Sequence, residues 1–228
     1  MKKIGLVGGL GPASTVDYYL GLIERCRAEY GADVYPEIVI DSVNMSEHID
    51  ALLHSDYNKL CDLLIKSISN LKAAGAEVAA ITANTEHIIW DMVCERFPLS
   101  VISILDAVVA EIKQCGYQRV LVFGTEFTMK SGMYEKALKD NGITAIIPTE
   151  EDIVRIGNLI YPNLENRIVI PEDRMKMIEL AEKYIAEEKA DAMLLGCTEI
   201  PLAIKPGDVS VPTLNSTEIH IKAIYEKA

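Results

Sequence analysis

Short apolar runs alternate along this chain with longer amphipathic segments. The runs include IGLV, VLVF and AMLL, and the longer segments repeat apolar residues every three or four positions. This alternation is typical of βαβ units around a parallel sheet, because strands covered by helices on both faces are apolar throughout. We predict an α/β fold with helices at 14–30, 56–75 and 172–189, and with strands at 3–7, 37–42, 78–82, 101–104, 119–123, 144–147, 192–195 and 209–211.

The two halves of the chain repeat one plan. In each half the first strand ends in a glycine turn, at 8–12 and at 124–126, and the third strand ends in a polar turn, at 83–85 and at 196–198. We predict two similar doubly wound, parallel-sheet domains related by pseudo-two-fold symmetry. The active site is expected in the cleft between them, because such sheets bind ligands at the carboxyl ends of their strands.

The predicted N-terminal α/β domain comprises residues 1–98 plus 212–228, and the predicted C-terminal α/β domain comprises residues 99–211. The final segment, 216–228, follows the last predicted strand and is expected to cross back and cover the first half.

Composition narrows the function. Acidic residues outnumber basic ones by 34 to 22, so the net charge is -12. This charge repels phosphate backbones and anionic lipid, and we expect neither nucleic acid nor a membrane as partner. The apolar runs are far shorter than the roughly 20 residues of a membrane span. The basic start runs into glycines without a cleavage site, so a cytoplasmic protein is expected. The five cysteines have no metal-binding spacing.

Two turns of the first half offer groups to a small anion. The segment GGLGPAST lacks the third glycine of a dinucleotide fingerprint and a Walker lysine, so its free N–H groups suit a carboxylate better than a nucleotide. The alternative is a plain strand-to-helix turn. Asn84 and Thr85 carry amide and hydroxyl donors, and the alternative for them is a helix N-cap. His87 fits a structural role better than a catalytic one.

Cys197 is the strongest chemical signal. It follows a buried strand directly and lies at a predicted helix N-terminus, where the dipole and backbone N–H groups favour a thiolate. Thr198 and Glu199 add a donor and a proton partner beside it. A cysteine in this position can act as a nucleophile or as a general base. The alternative is a packed free thiol.

Taken together and in order, these motifs resemble the aspartate/glutamate racemase family of cofactor-independent amino-acid racemases. The resemblance covers essentially the whole chain and rests on GGLGPAST, on the ANTEH segment that contains Asn84 and Thr85, on LVFGTEFTM and on LLGCTEIPL. It implies a two-domain isomerase that needs neither pyridoxal phosphate nor metal. It also implies a homodimer and a small amino-acid or dicarboxylate substrate.

The resemblance further implies two bases, one on each face of the substrate α-carbon. Cys197 occupies the second base position, but the first is Ala83, which carries no proton. Three explanations stay open: an inactivating substitution, another group such as the Thr82 hydroxyl or a water, or one-base chemistry of the arylmalonate decarboxylase kind. A further alternative is a carboxylate-binding protein that has lost catalysis.

The resemblance also supplies candidates for substrate binding. The α-carboxylate would be held by Asn84, Thr85, Thr125 and Thr198. A distal carboxylate would need a cation, because burying an unpaired charge is costly. His48 and Arg167 are the candidates, with solvated surface side chains as the alternative. The complete set of substrate-binding candidates is Leu10, Ala83, Asn84, Thr85, Thr125, Thr198 and Glu199.

Overall fold

The computed structural model describes residues 1–97 and 100–228. The chain divides into two compact units, one made of Met1–Ile104 with His220–Ala228 and the other of Leu105–Ile219. The first predicted domain boundary, between residues 98 and 99, lies outside the described residues. The second, between residues 211 and 212, precedes a strand that pairs within the second unit.

The first unit is built on a four-stranded parallel sheet of order β2-β1-β3-β4. Its strands are β1 (Ile4–Gly8), β2 (Ile38–Ser42), β3 (Val78–Ile81) and β4 (Val101–Ile102). Its helices are α1 (Pro12–Tyr30), α2 (Met45–Leu53), α3 (Tyr57–Ala73) and α4 (Trp90–Arg96), with a 3₁₀ helix over Thr85–Ile89.

The central strands β1 and β3 are buried at every position, as their apolar sequences predict. One core cluster joins the α3 residues Leu60, Leu64 and Leu71 to β1 and β3. A second cluster lies on the other sheet face, under α1 and the last helix of the chain. Helices therefore cover both faces, and the free carboxyl ends of β1 and β3 lie side by side, with Val7 opposite Ile81.

The second unit repeats this plan with a parallel sheet of order β6-β5-β7-β8. Its strands are β5 (Arg119–Gly124), β6 (Thr144–Ile146), β7 (Ala192–Gly196) and β8 (Thr213–Asn215). Its helices are α5 (Ile104–Cys115), α6 (Glu126–Lys130), α7 (Met133–Lys139), α8 (Glu150–Ile160), α9 (Pro171–Glu188) and α10 (Ile200–Ala203), with a 3₁₀ helix over Leu164–Asn166.

The last helix, α11 (Ser216–Lys227), begins in the second unit and ends in the first. Its residues Ile221 and Ile224 are buried against Ile4, Leu6 and Tyr18 of the first unit. The expectation that the end of the chain covers the first half is confirmed.

Seven of the eight predicted strands overlap a strand of the structure, and one prediction is wrong. The predicted strand at 209–211 lies in a bend, and the pairing strand is β8, Thr213–Asn215. The apolar residues of the segment VSVP indicated a strand, but Val209 is buried in the core cluster without joining the sheet. Among the described helices, none is both long and apolar enough to span a bilayer.

Candidate functional site

The first candidate edge lies at the carboxyl ends of β1 and β3. Gly8 ends β1 without a side chain, and a Cβ there would lie 2.6 Å from the Thr15 methyl group. Gly9 has a φ of +86°, and a Cβ on it would lie 2.6 Å from the Val43 carbonyl oxygen. Glycine at these positions lets the chain turn tightly above the sheet and brings Leu10 into one apolar cluster with Ala83.

A network of hydroxyl groups joins the two strand ends. Ser14 donates to the Thr82 carbonyl oxygen at 2.7 Å, and the Gly9 N–H donates to the Thr15 hydroxyl at 2.9 Å. The Thr82 hydroxyl is completely buried and donates to the Val7 carbonyl oxygen at 3.0 Å. Because its proton holds the strand ends together, the idea that Thr82 replaces the missing first base is not supported by this geometry.

Ala83 and Asn84 follow β3 directly and are both buried. Asn84 precedes the 3₁₀ helix at the N-cap position, yet its side chain makes no capping hydrogen bond. The helix-cap alternative for Asn84 is therefore right about its position and wrong about a capping hydrogen bond from its side chain. Thr85, the first residue of the 3₁₀ helix, is half-buried. The polar turn predicted from the sequence thus lies at the carboxyl edge of the sheet, beside Leu10.

Glu86 is a buried acidic residue that the sequence analysis missed. Only 5% of it is exposed, and its Oε2 atom has no hydrogen-bond partner. Burial raises the pKa of the Glu86 carboxyl to about 7, and its own backbone N–H opposes this rise. In the sequence, Glu86 stands between a polar turn and His87 and has no feature that distinguishes it from a surface glutamate.

His87 has a structural role in this unit. Its Nε2 atom accepts from the Ile104 N–H at 3.4 Å, so Nδ1 carries the proton and donates to the Ala83 carbonyl oxygen at 3.0 Å. The ring stacks on Trp90 with centroids 5.1 Å apart. Burial lowers the pKa of His87 to about 4, which keeps the ring neutral.

His48 is buried, so the alternative of a solvated surface side chain is wrong for this residue. Only 1% of it is exposed, and neither ring nitrogen has a hydrogen-bond partner. It lies on the inner face of α2 with Ala51 and Leu52, which pack into the cluster that contains Leu10 and Ala83. Burial lowers the pKa of His48, so the ring is not a permanent cation.

The second candidate edge lies at the carboxyl ends of β5 and β7, where Gly124 is opposite Gly196. A Cβ on Gly124 would lie 3.1 Å from the Gly196 carbonyl oxygen, so glycine permits this close approach. Thr125 caps α6, because its hydroxyl oxygen accepts from the Thr128 N–H at 3.1 Å. Thr198 and Glu199 follow Cys197 in a half-buried turn before α10.

Cys197 and Glu199 form the central contact of this edge. The Cys197 thiol donates to Glu199 Oε2, with 2.9 Å between the sulfur and the oxygen. Only 4% of Cys197 is exposed, and the residue packs into the core cluster of the second unit. A carboxylate in this position can accept the thiol proton, so the pair combines an acid with its proton acceptor.

The protonation state of Cys197 differs from the expectation. Burial, together with the Glu199 carboxylate, raises the pKa of the Cys197 thiol well above its usual value. The backbone N–H groups of Glu199 and Ile200 act in the opposite direction, as predicted for a helix start, but they are outweighed. The resting state is therefore a thiol, and the predicted thiolate is wrong for the resting structure.

A neighbouring loop brings the acidic residue Glu165 close to Glu199. Burial and the nearby Glu199 both raise the pKa of Glu165, which lies in the 3₁₀ helix Leu164–Asn166. Arg167 follows this helix with a φ of +63° and an exposed side chain. The loop that contains Arg167 thus lies next to the Cys197 turn. Within the described part of the chain, no group of three or more His, Cys, Asp or Glu side chains could hold a metal ion.

These features define a class: an α/β protein with two parallel sheets of equivalent strand order and, at one strand edge, a buried cysteine paired with a half-buried glutamate. Residues 7–224 match the Asp/Glu/hydantoin racemase family. The chain belongs to this family.

Known proteins extend the similarity over the whole chain. The broad specificity amino-acid racemase RacX of Bacillus subtilis is 24% identical over 94% of this chain and 92% of its own. An aspartate racemase homologue from Pyrococcus horikoshii superposes with a TM-score of 0.88 at 36% identity, over 100% of this chain and 99% of its own. A putative Asp/Glu racemase from Yersinia pestis gives a TM-score of 0.92 at 31% identity, with the same coverage. The predicted family and the predicted α/β fold are confirmed.

Proposed function

We propose that this protein interconverts the L and D forms of an amino acid without a cofactor, with Cys197 moving the α-proton. The observation that carries the proposal is the 2.9 Å contact between the Cys197 thiol and Glu199 at a strand end. An amino-acid substrate is supported by the similarity to RacX, which is a broad specificity amino-acid racemase.

In this proposal Glu199 controls the proton on Cys197. When Cys197 acts as a base, Glu199 first accepts the thiol proton, and the N–H groups of Glu199 and Ile200 stabilise the thiolate. The Cα–H bond then breaks, its electron pair stays on the α-carbon, and the proton moves to the sulfur. When Cys197 acts as an acid, the resting thiol donates its proton to the α-carbon directly.

The negative charge that develops on the substrate needs donors placed in advance. We assign this role to Asn84, Thr85 and Thr198, which follow the ends of β3 and β7. Support for Asn84 comes from its burial directly after the carboxyl end of β3. Thr125 is a weaker candidate than expected, because its hydroxyl already donates to the Thr128 hydroxyl oxygen at 3.0 Å.

We assign the binding of the substrate side chain to His48 and Arg167. His48 supports this role because both of its ring nitrogens are buried without a partner. A neutral imidazole donates or accepts a hydrogen bond and does not require an acidic substrate. Arg167 would supply the positive charge that a distal carboxylate needs.

Exchange of the α-proton with solvent tests the proposal. The protein is incubated in deuterated water with a panel of L- and D-amino acids, and loss of the α-proton signal is followed by NMR. We expect exchange with at least one amino acid, and Cys197→Ser should slow it about 100-fold or more. The matched control is Cys94→Ser, which changes an exposed cysteine and should have no effect. Unchanged exchange in Cys197→Ser would remove Cys197 from the mechanism.

Ala83 favours a second candidate, because its methyl group carries no proton. With Cys197 as the single acid, the same fold could protonate the carbanion left when a malonate-type acid loses carbon dioxide. Release of carbon dioxide from such an acid, without α-proton exchange on any amino acid, would favour this reaction. Tight amino-acid binding in calorimetry without either reaction would instead favour a carboxylate-binding protein.

A further inference from the structure

Two buried side chains of the second unit, to which no role has been assigned, hold the chain that leads to Cys197. They are Tyr134 of α7 and Ser216, the first residue of α11. Both are buried, with only 1% of Tyr134 exposed. Their contacts lie at the two residues directly before Cys197, so they bear on how its thiol is placed.

Ser216 fixes the end of β7. Its hydroxyl donates to the Leu195 carbonyl oxygen at 2.8 Å, and Leu195 lies two residues before Cys197. Leu195 also pairs across the sheet with Asn215, the residue before Ser216. The Asn215 Oδ1 atom accepts from the Thr217 N–H at 3.0 Å and so caps α11. The capped start of α11 is therefore attached to the strand end that leads to Cys197.

Tyr134 extends this attachment. Its hydroxyl forms a hydrogen bond with the Ser216 side chain. Because the Ser216 proton is already donated to Leu195, Tyr134 is the donor in this bond. The result is a buried chain of two hydrogen bonds, in which each bond strengthens the other. Burial raises the pKa of the Tyr134 hydroxyl, so the donor keeps its proton.

The ring of Tyr134 contacts the residue directly before Cys197. A Cβ on Gly196 would lie 3.3 Å from Tyr134 Cε2 and 3.1 Å from the Phe123 carbonyl oxygen. Gly196 is thus enclosed between the aromatic ring and β5, where close packing restricts its movement. The backbone before Cys197 is therefore fixed twice, by a hydrogen bond at Leu195 and by packing at Gly196.

The Cys197 thiol depends on this fixed backbone. Its 2.9 Å contact with Glu199 joins two side chains of one short turn, so a rotation of the chain before Cys197 would move the sulfur away from the carboxylate. Proton transfer requires such contacts to be kept, and a displacement of about 1 Å can slow a reaction about 100-fold.

We propose that Ser216 and Tyr134 are positioning residues that hold the Cys197 thiol for proton transfer, an assignment that rests on the proposed function. Neither side chain transfers a proton to the substrate. Ser216 holds the strand end, Tyr134 holds Ser216 and Gly196, and the sulfur stays directed at Glu199 in both the thiol and the thiolate steps.

The kinetics of α-proton exchange test this assignment. In Ser216→Ala we expect kcat to fall about tenfold, because the sulfur is placed less accurately. KM should stay within about twofold, because the groups that bind the substrate are retained. The matched control is Ser69→Ala. It removes a similar bond, in which an exposed serine of α3 donates to the Ile65 carbonyl oxygen at 2.7 Å, and it should leave both constants unchanged.

A second measurement needs no substrate. Alkylation of Cys197 by iodoacetamide, followed over a range of pH by mass spectrometry of its peptide, reports the pKa of the thiol. Burial and the Glu199 carboxylate raise this pKa, so a thiol that is held less firmly should titrate at a lower pH. We expect this shift in Ser216→Ala and no shift in Ser69→Ala.

The outcomes separate the positioning role from the proposed function. If the unmodified protein exchanges no amino acid, the proposed function is wrong, and alkylation then tests the placement of Cys197 by itself. A folded Ser216→Ala protein would overturn the assignment if its kcat stayed within about twofold or if its Cys197 titration did not move. Its role would then be only structural, whatever the loss in Tm. A raised KM with unchanged kcat would also contradict the assignment.

Tyr134→Phe guards against a folding failure of Ser216→Ala. It keeps the aromatic ring against Gly196 and removes only the hydroxyl. We expect kcat to fall about threefold and the Cys197 titration to move in the same direction as in Ser216→Ala. The control Tyr35→Phe changes an exposed tyrosine. Folding of each variant is checked by circular dichroism and by its Tm. Unchanged kcat and titration in a folded Tyr134→Phe protein would contradict the assignment.

Discussion

The protonation state of Cys197 is determined by opposing effects of groups close to its sulfur atom. The N–H groups of Glu199 and Ile200 favour the thiolate, whereas burial and the Glu199 carboxylate favour the thiol and prevail. The sequence indicated the first effect, because a cysteine before a helix start is visible as a pattern. It did not indicate the second, because burial and the direction of the Glu199 side chain depend on packing.

Substitution of Glu199 tests this balance. Glu199→Gln removes the negative charge beside the sulfur, and we therefore expect a lower thiol pKa together with slower α-proton exchange, because the proton acceptor is lost. The thiolate is followed by its ultraviolet absorbance as the pH is raised. The control Glu187→Gln changes an exposed glutamate of α9. A Cys197 titration that is the same in Glu199→Gln and in the unmodified protein would disprove the coupling.

At the scale of elements, the two units share one packing arrangement at the ends of their first strands. A glycine ends the strand, and a threonine methyl group from the following helix packs where its Cβ would be. The distances to such a Cβ are 2.6 Å for Gly8 with Thr15 and 2.9 Å for Gly124 with Thr128. This packing places the following turn directly above the sheet edge. The repeated glycine turns were visible in the sequence, but their threonine partners were not.

Adding a single methyl group to the glycine tests this packing arrangement. Gly8→Ala forces a methyl group against Thr15 and Ile40, and we expect a loss of about 1–3 kcal/mol in the free energy of unfolding. Combining it with Thr15→Ser removes one of the clashing methyl groups and should recover part of the loss. Gly157→Ala is the control, because its Cβ would meet atoms only at 3.9 Å. Equal melting temperatures for Gly8→Ala and Gly157→Ala would contradict this packing argument.

At the scale of the whole molecule, buried histidines link stability to pH. His220 accepts from the Tyr18 hydroxyl at 2.8 Å and donates to the Ile102 carbonyl oxygen at 2.9 Å. Burial lowers the pKa of His220 to about 3 and that of His87 to about 4. The unfolded chain therefore binds more protons than the folded chain between about pH 4 and pH 6.5, and stability is lost as the pH falls through this range.

The contribution of His220 can be isolated by substitution. When the pH falls from about 7.5 to about 5, His87 and His220 should each lower the free energy of unfolding by about 2 kcal/mol. Glu86 acts in the opposite direction, because its raised pKa stabilises the folded state below about pH 7. We therefore compare the free energy of unfolding of the unmodified protein with that of His220→Gln. The difference between the two should shrink by about 2 kcal/mol as the pH falls from about 7.5 to about 5. Exposed His54→Gln is the control, and a constant difference for His220→Gln would contradict the prediction.

The sequence by itself determined the repeated α/β plan, because apolar strands, amphipathic helices and glycine turns depend mainly on local composition. It also identified the polar turns at Asn84 and Cys197, since motifs at strand ends keep their order in the chain. The tertiary structure decided what these groups can do. It fixed the strand registers, the hydrogen bond of the Thr82 hydroxyl, the partner of the Cys197 thiol and the unpaired Glu86 carboxyl. These features depend on burial or on residues distant in the sequence, and a local sequence pattern contains neither kind of information.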